Sequence, residues 1–83
     1  MLYLAEFYLA EDTGLEGIAL RAREGATGAA GAGADIRFVQ AIFVPQDESC
    51  FAIFRARSAH EVAAAGRLAG LVFDRIVPAV SIP

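Results

Sequence analysis

Apolar residues recur along this chain in two rhythms, one of period two and one of helical period. Leu2 to Leu9 alternates as a strand, with Leu2, Leu4, Glu6 and Tyr8 on one side and Tyr3, Ala5, Phe7 and Leu9 on the other. Thr13-Gly14-Leu15-Glu16 has the spacing of a capping box, and Leu15, Ile18, Ala19, Ala22 and Ala26 follow at helical intervals. Gly25 and Gly28 weaken that helix, so residues 25–35, rich in glycine and alanine, read as a flexible connection. Ile36 to Val44 reads as a second strand, Pro45 to Ser49 as a turn and Cys50 to Arg55 as a third strand. Ser58-Ala59-His60-Glu61 is a second capping box, opening an alanine-rich helix that Gly70 ends. After a packed connection at Leu71-Val72-Phe73 and a turn at Asp74-Arg75, Ile76 to Ile82 forms a fourth strand, which Pro78 assigns to a sheet edge.

The predicted order is β-α-β-β-α-β within a single domain, residues 1–83. Right-handed crossovers place both helices on one face of a four-stranded antiparallel sheet, a ferredoxin-like α+β domain. Both faces of that sheet are apolar. The second strand carries Ile36, Phe38, Ile42 and Val44 on one side and Val39, Ala41 and Phe43 on the other; the third sets Phe54 against Phe51 and Ile53. Two helices cover one set only, and a face left to water would alternate apolar with polar residues. The second set therefore predicts a covering partner: a homodimer joined through its sheets, as a sandwich or a dimeric α+β barrel.

Composition sharpens this expectation. Hydrophobic residues make up 57% of the chain, above the usual ~45–50%, and a chain of this length buries only about two thirds of its unfolded surface, so association adds to a thin core. The net charge of −3, with seven arginines, no lysine and no basic cluster, argues against nucleic acid or an anionic membrane as partner. The apolar start lacks a basic flank, no run reaches the ~20 residues of a bilayer span, and the lone Cys50 pairs with nothing, which together predict a cytoplasmic protein. The Gly/Ala segment is no phosphate cradle, because a helix precedes it and lysine is absent.

The candidate chemistry is sparse. Glu6 in an apolar strand is either a general base or ligand anchor, or the partner of an arginine such as Arg37 or Arg55 on a neighbouring strand. Tyr8 shares its face, and Gln40 is a further polar-tipped strand residue; Glu6, Tyr8 and Gln40 are the candidate orienting groups for a small apolar molecule on the sheet. His60, in the first turn of the second helix, and Glu6 are the candidate metal ligands, with a symmetry-related chain needed to complete a set. Cys50, beside Asp47 and Glu48, is expected to be an inert thiol. These features fit a small dimeric binding protein holding a small apolar ligand or a metal ion at the sheet face. The alternative is a cofactor-independent enzyme of isomerase, cyclase or monooxygenase type, using a dimeric barrel interior with Glu6 and Tyr8 or Gln40 as its acid–base cluster.

Tyr3-Leu4-Ala5-Glu6, Ile36-Arg37-Phe38-Val39, Phe54-Arg55-Ala56, and Ala69-Gly70-Leu71 followed by Asp74-Arg75-Ile76 together resemble a family of small ferredoxin-like proteins, some of them nickel-binding. The resemblance implies the same fold and raises nickel as a cofactor. This chain departs from the family pattern at four positions: Ala52 stands where relatives have cysteine, Arg55 where they have glutamate, Ala65 where they have histidine and Val72 where they have proline. The side chains best suited to hold a metal are thus replaced.

Overall fold

The computed structural model describes residues 1–9 and 14–83. In chain order it contains β1 (Leu2–Tyr8), α1 (Leu15–Gly31), β2 (Arg37–Val44), a short 3-10 turn at Pro45–Asp47, β3 (Ser49–Arg55), α2 (Ala59–Ala69) and β4 (Arg75–Ala79). The expected β-α-β-β-α-β order holds. The four strands form one antiparallel sheet in the order β2-β3-β1-β4, which makes β2 and β4 the edges and places Pro78 where its missing N–H costs no central ladder bond.

One face of this sheet meets the two helices. Tyr3, Ala5, Phe7 and Leu9 from the first strand region, Cys50, Ala52 and Phe54 from β3, and Ile18, Ala22, Ala26, Ala29, Val62 and Ala65 from the helices form a continuous core. Phe54 is its centre, fully buried, with its ring centroid 5.7 Å from that of Phe38 and 6.0 Å from that of Phe73. Phe73 in turn lies 5.5 Å from Phe7, so the Leu71–Phe73 connection is packed through that ring while Val72 points to solvent.

The end of α1 differs from the expected flexible connection over 25–35. The helix continues through Gly25 and Gly28 to Gly31. Tertiary packing outweighs the low helix propensity of glycine here: a Cβ on Gly25 would overlap the Ala65 carbonyl oxygen and lie 2.9 Å from the Ala69 Cβ. The missing side chain is what lets α1 lie directly on α2. Arg21 of α1 fastens the same contact, donating from Nε to the Ala69 carbonyl at 3.1 Å and from its terminal nitrogen to the Gly70 carbonyl at 2.8 Å. Gly70 itself ends α2 in the left-handed region, at φ 71°.

The two capping boxes fare differently. Thr13 lies outside the described residues; α1 starts from Gly14 as N-cap with no side-chain cap bond. At α2 the Ser58 hydroxyl accepts from the Glu61 amide at 3.3 Å, as the spacing predicts. The return bond shifts by one residue. The Glu61 carboxylate accepts from the Arg57 amide at 2.9 Å, from the Asp35 amide at 3.0 Å and from the Arg57 guanidinium at 2.8 Å. Glu61 thereby ties the approach to β2 to the start of α2.

A bulge in β2 corrects the predicted division of that strand. Between Phe38 and Gln40 the pairing with β3 slips by one residue, leaving Val39 unopposed. Phe38 pairs with Phe54 and Ala41 with Ala52, so Ile36, Phe38, Ala41 and Phe43 face the helices, whereas Gln40, Ile42 and Val44 lie on the uncovered side. Strict alternation puts Phe38 with Ile42 and Val44. The bulge switches the parity midway and brings the large ring inward.

Candidate functional site

The uncovered face of the sheet consists of cross-strand rows fixed by the register. Arg37, Arg55, Leu2 and Ala79 form the first; Gln40, Ile53, Leu4 and Val77 the second; Ile42, Phe51, Glu6 and Arg75 the third; Val44, Ser49 and Tyr8 the fourth. Leu2, Leu4, Phe51, Ile53 and Val77 are only half-buried, and Tyr8 and Ile42 are 76% and 45% exposed. An apolar centre thus lies open between polar ends.

Glu6, Tyr8 and Gln40 do share this face, as their candidacy as ligand-orienting groups requires. They are not assembled into one cluster. Gln40 stands two strands across and one row along from Glu6, roughly 12 Å at ordinary strand spacing, and among the described residues no hydrogen bond joins the three. Glu6 has a different partner from either arginine expected: its Oε1 lies 3.7 Å from Nε of Arg75. The strand order explains the correction. β4 adjoins β1 and begins at Arg75, one residue earlier than the pattern predicted, so Arg75 falls directly opposite Glu6, whereas Arg55 opposes Leu2 and Arg37 lies beyond β3.

The structure separates the metal candidates. His60 is exposed on α2, in the helical layer, while Glu6 is on the other side of the sheet. Among the described residues no three His, Cys, Asp or Glu side chains converge on a common point. The positions that the nickel-binding resemblance brings forward do not fit a metal either. Ala52 and Ala65 are buried methyl groups in the core, and Arg55 sets a cation on the open face. A divalent ion finds neither soft nor anionic donors there. Cys50 is wholly buried, and burial pushes its thiol up, which agrees with an inert side chain although the cause is desolvation and not the adjacent carboxylates.

The sequence reading missed one arrangement. Arg37 and Arg55 are direct cross-strand partners, both exposed, at the end of the sheet where β2 begins and β3 ends. They help to line a cleft of about 690 Å³ together with Met1, Asp35, Ile36, Ala56 and Arg57. Arg57 is engaged by Glu61, whose carboxyl it helps to hold down at about 2. Two further clefts lie in the helical layer: one of about 430 Å³ between the helices with His60 at its rim, and one of about 260 Å³ beside Phe73. None of the three is lined by Glu6, Tyr8 or Gln40.

No family model matches the chain, and no curated protein matches it. Among solved structures it is similar to SCO4226 from Streptomyces coelicolor A3(2), with a TM-score of 0.74 at 17% sequence identity, over 98% of this chain and 100% of that one. At that identity the likeness speaks for the ferredoxin-like fold alone. No described helix is long and apolar enough to cross a membrane.

Proposed function

We propose that the protein is a small homodimeric binding protein whose two sheets meet face to face and enclose a small apolar ligand. The observation that carries this reading is the uncovered side of the sheet, where Leu2, Leu4, Ile42, Phe51, Ile53 and Val77 stand together without a covering layer. An exposed apolar patch of this kind marks an association or ligand surface in a water-soluble domain. A second copy supplies a matching apolar face at the ~10 Å spacing of packed sheets. Small polar groups at intervals, Gln40, Glu6 and Tyr8, then orient what is held between.

The binding reading accounts for the site better than the catalytic one, because Glu6 is paired with Arg75 and no acid–base pair joins it to Tyr8 or Gln40 among the described residues. Size-exclusion chromatography with light scattering tests the dimer. The expected mass is twice that of the chain at micromolar concentration, and Ile53→Arg, at the middle of the open face, gives a folded monomer. A wild-type protein that remains monomeric throughout that range sinks the reading.

A further inference from the structure

Like charges set directly opposite each other on neighbouring strands destabilise a sheet, because their Cβ atoms lie only about 4.5–5.5 Å apart. Arg37 and Arg55 hold that position, next to the row that begins the apolar face. Among the described residues two carboxylates are paired elsewhere: Glu61 takes the guanidinium of Arg57 at 2.8 Å, and Glu6 pairs with Arg75 at the far side of the face. Among the described residues one carboxylate, that of Asp35, lines the same cleft, against three arginines. Neither the Arg37 nor the Arg55 side chain has an ion-pair or hydrogen-bond partner among the described residues.

We infer that Arg37 and Arg55 form a carboxylate anchor, and that the ligand of the sheet face is an amphiphilic carboxylic acid with its charged head in this cleft. The guanidinium fork of an arginine carries paired N–H donors suited to a carboxylate, two such side chains stand at directly paired positions of adjacent strands, and guanidinium is less strongly hydrated than ammonium, so the contact survives partial desolvation. The bound anion also relieves the repulsion between the two arginines. Leu2 is the cross-strand neighbour of Arg55, and Ile53 and Leu4 form the next row, so an alkyl or aromatic body extending from the carboxylate meets apolar side chains at once. The inference rests on the proposed binding role of the face and adds the chemical class of what is bound.

Isothermal titration with decanoate and with decanol, both below micelle-forming concentration and near neutral pH, separates the two claims. Decanoate is expected to bind at least about tenfold more tightly than decanol, the discrimination of one charge-assisted hydrogen-bonded pair. Arg37→Gln and Arg55→Gln, made singly and together and checked for unchanged circular dichroism and dimer mass, should bring decanoate to the level of decanol and leave decanol unaltered. Equal affinity of the two probes for the wild type, or a decanoate preference that persists in both single variants and the double variant, overturns the anchor while the apolar-ligand reading stands. Binding of neither probe to a dimeric wild type overturns both.

Discussion

The two faces of the sheet differ both in polarity and in the size of their central side chains: the covered face is apolar throughout, whereas on the open face Arg37, Arg55, Gln40, Glu6, Arg75, Ser49 and Tyr8 stand among the apolar residues. At the middle of the covered face stand Ala5 and Ala52, with Ala22, Ala26 and Ala65 on the helices above, all of them buried. Small residues there let helix backbones lie close to the sheet, and the gaps around them are filled by Phe7, Phe38, Phe54 and Phe73. The open face instead raises Leu2, Leu4, Phe51, Ile53 and Ile42 above the pleat, with no small residue in the central rows. Protruding branched side chains suit interdigitation with another sheet at about 10 Å. The face closed by this chain's own helices is thus apolar and small at its centre, whereas the uncovered face carries larger apolar side chains among charged and polar ones.

Two aromatic truncations test that contrast most severely. Phe54→Ala, at the centre of the covered face, is expected to cost about 3–5 kcal/mol in urea unfolding, whatever the protein concentration. Phe51→Ala, three residues away on the opposite face, should cost little in dilute solution and show its effect as weaker association, with a midpoint that no longer rises with concentration. Similar, concentration-independent losses at both sites would break the distinction.

A second pair of substitutions probes the close approach of the helices. Gly25→Ala should destabilise by about 1–3 kcal/mol, since the new methyl meets the Ala65 carbonyl, in spite of the ~1 kcal/mol that alanine gains over glycine in a helix. Gly17→Ala, also in α1 but facing open space, should gain up to about 1 kcal/mol. Opposite signs in thermal melts of the two variants are the expected result, and a gain at both would mean that α1 does not rest on α2 as described.

These contrasts also mark what the sequence could and could not reveal. Strand alternation in Leu2–Leu9 and the Ser58/Glu61 spacing are local signals, and they led to the fold because each element is specified by its own residues. The helical continuation through 25–31 is not legible locally, because the reason for Gly25 is a contact with Ala65 and Ala69, some forty residues away. The arginine pair was hidden for a similar reason. Val44 opposite Ser49 fixes the hairpin, and unbroken counting from there sets Arg37 against Ala56 and Phe38 against Arg55. Only the slip at Val39 brings Arg37 opposite Arg55 and turns Phe38 toward Phe54, and nothing in Phe38-Val39-Gln40 announces it. The preference for burying Phe38, which also receives the Arg23 guanidinium 5.5 Å from its ring centre, is a tertiary demand that overrides the local alternation.

The smallest expected effects come from the two carboxylates that belong to opposite sides of the sheet. Glu61, in the helical layer, is ionised down to about 2, first because the Arg57 guanidinium donates to it and then because the Asp35 and Arg57 amides do. Its folded-state value lies below the ordinary one of 4.5, so the stability it contributes is present in full above that value and is lost as pH falls toward about 2. Glu61→Gln should therefore lower Tm near neutrality, and the gap between variant and wild type should close between about pH 5 and pH 2. Glu6 on the open face meets an exposed Arg75 at 3.7 Å, a surface pair of the kind that contributes about 0–1 kcal/mol. Glu6→Gln should then shift Tm only slightly, and binding of an apolar probe should report its loss more than melting does. If Glu6→Gln instead lowers Tm as far as Glu61→Gln while the dimer mass is unchanged, Glu6 stabilises the fold itself and its role as an orienting group on the open face is lost.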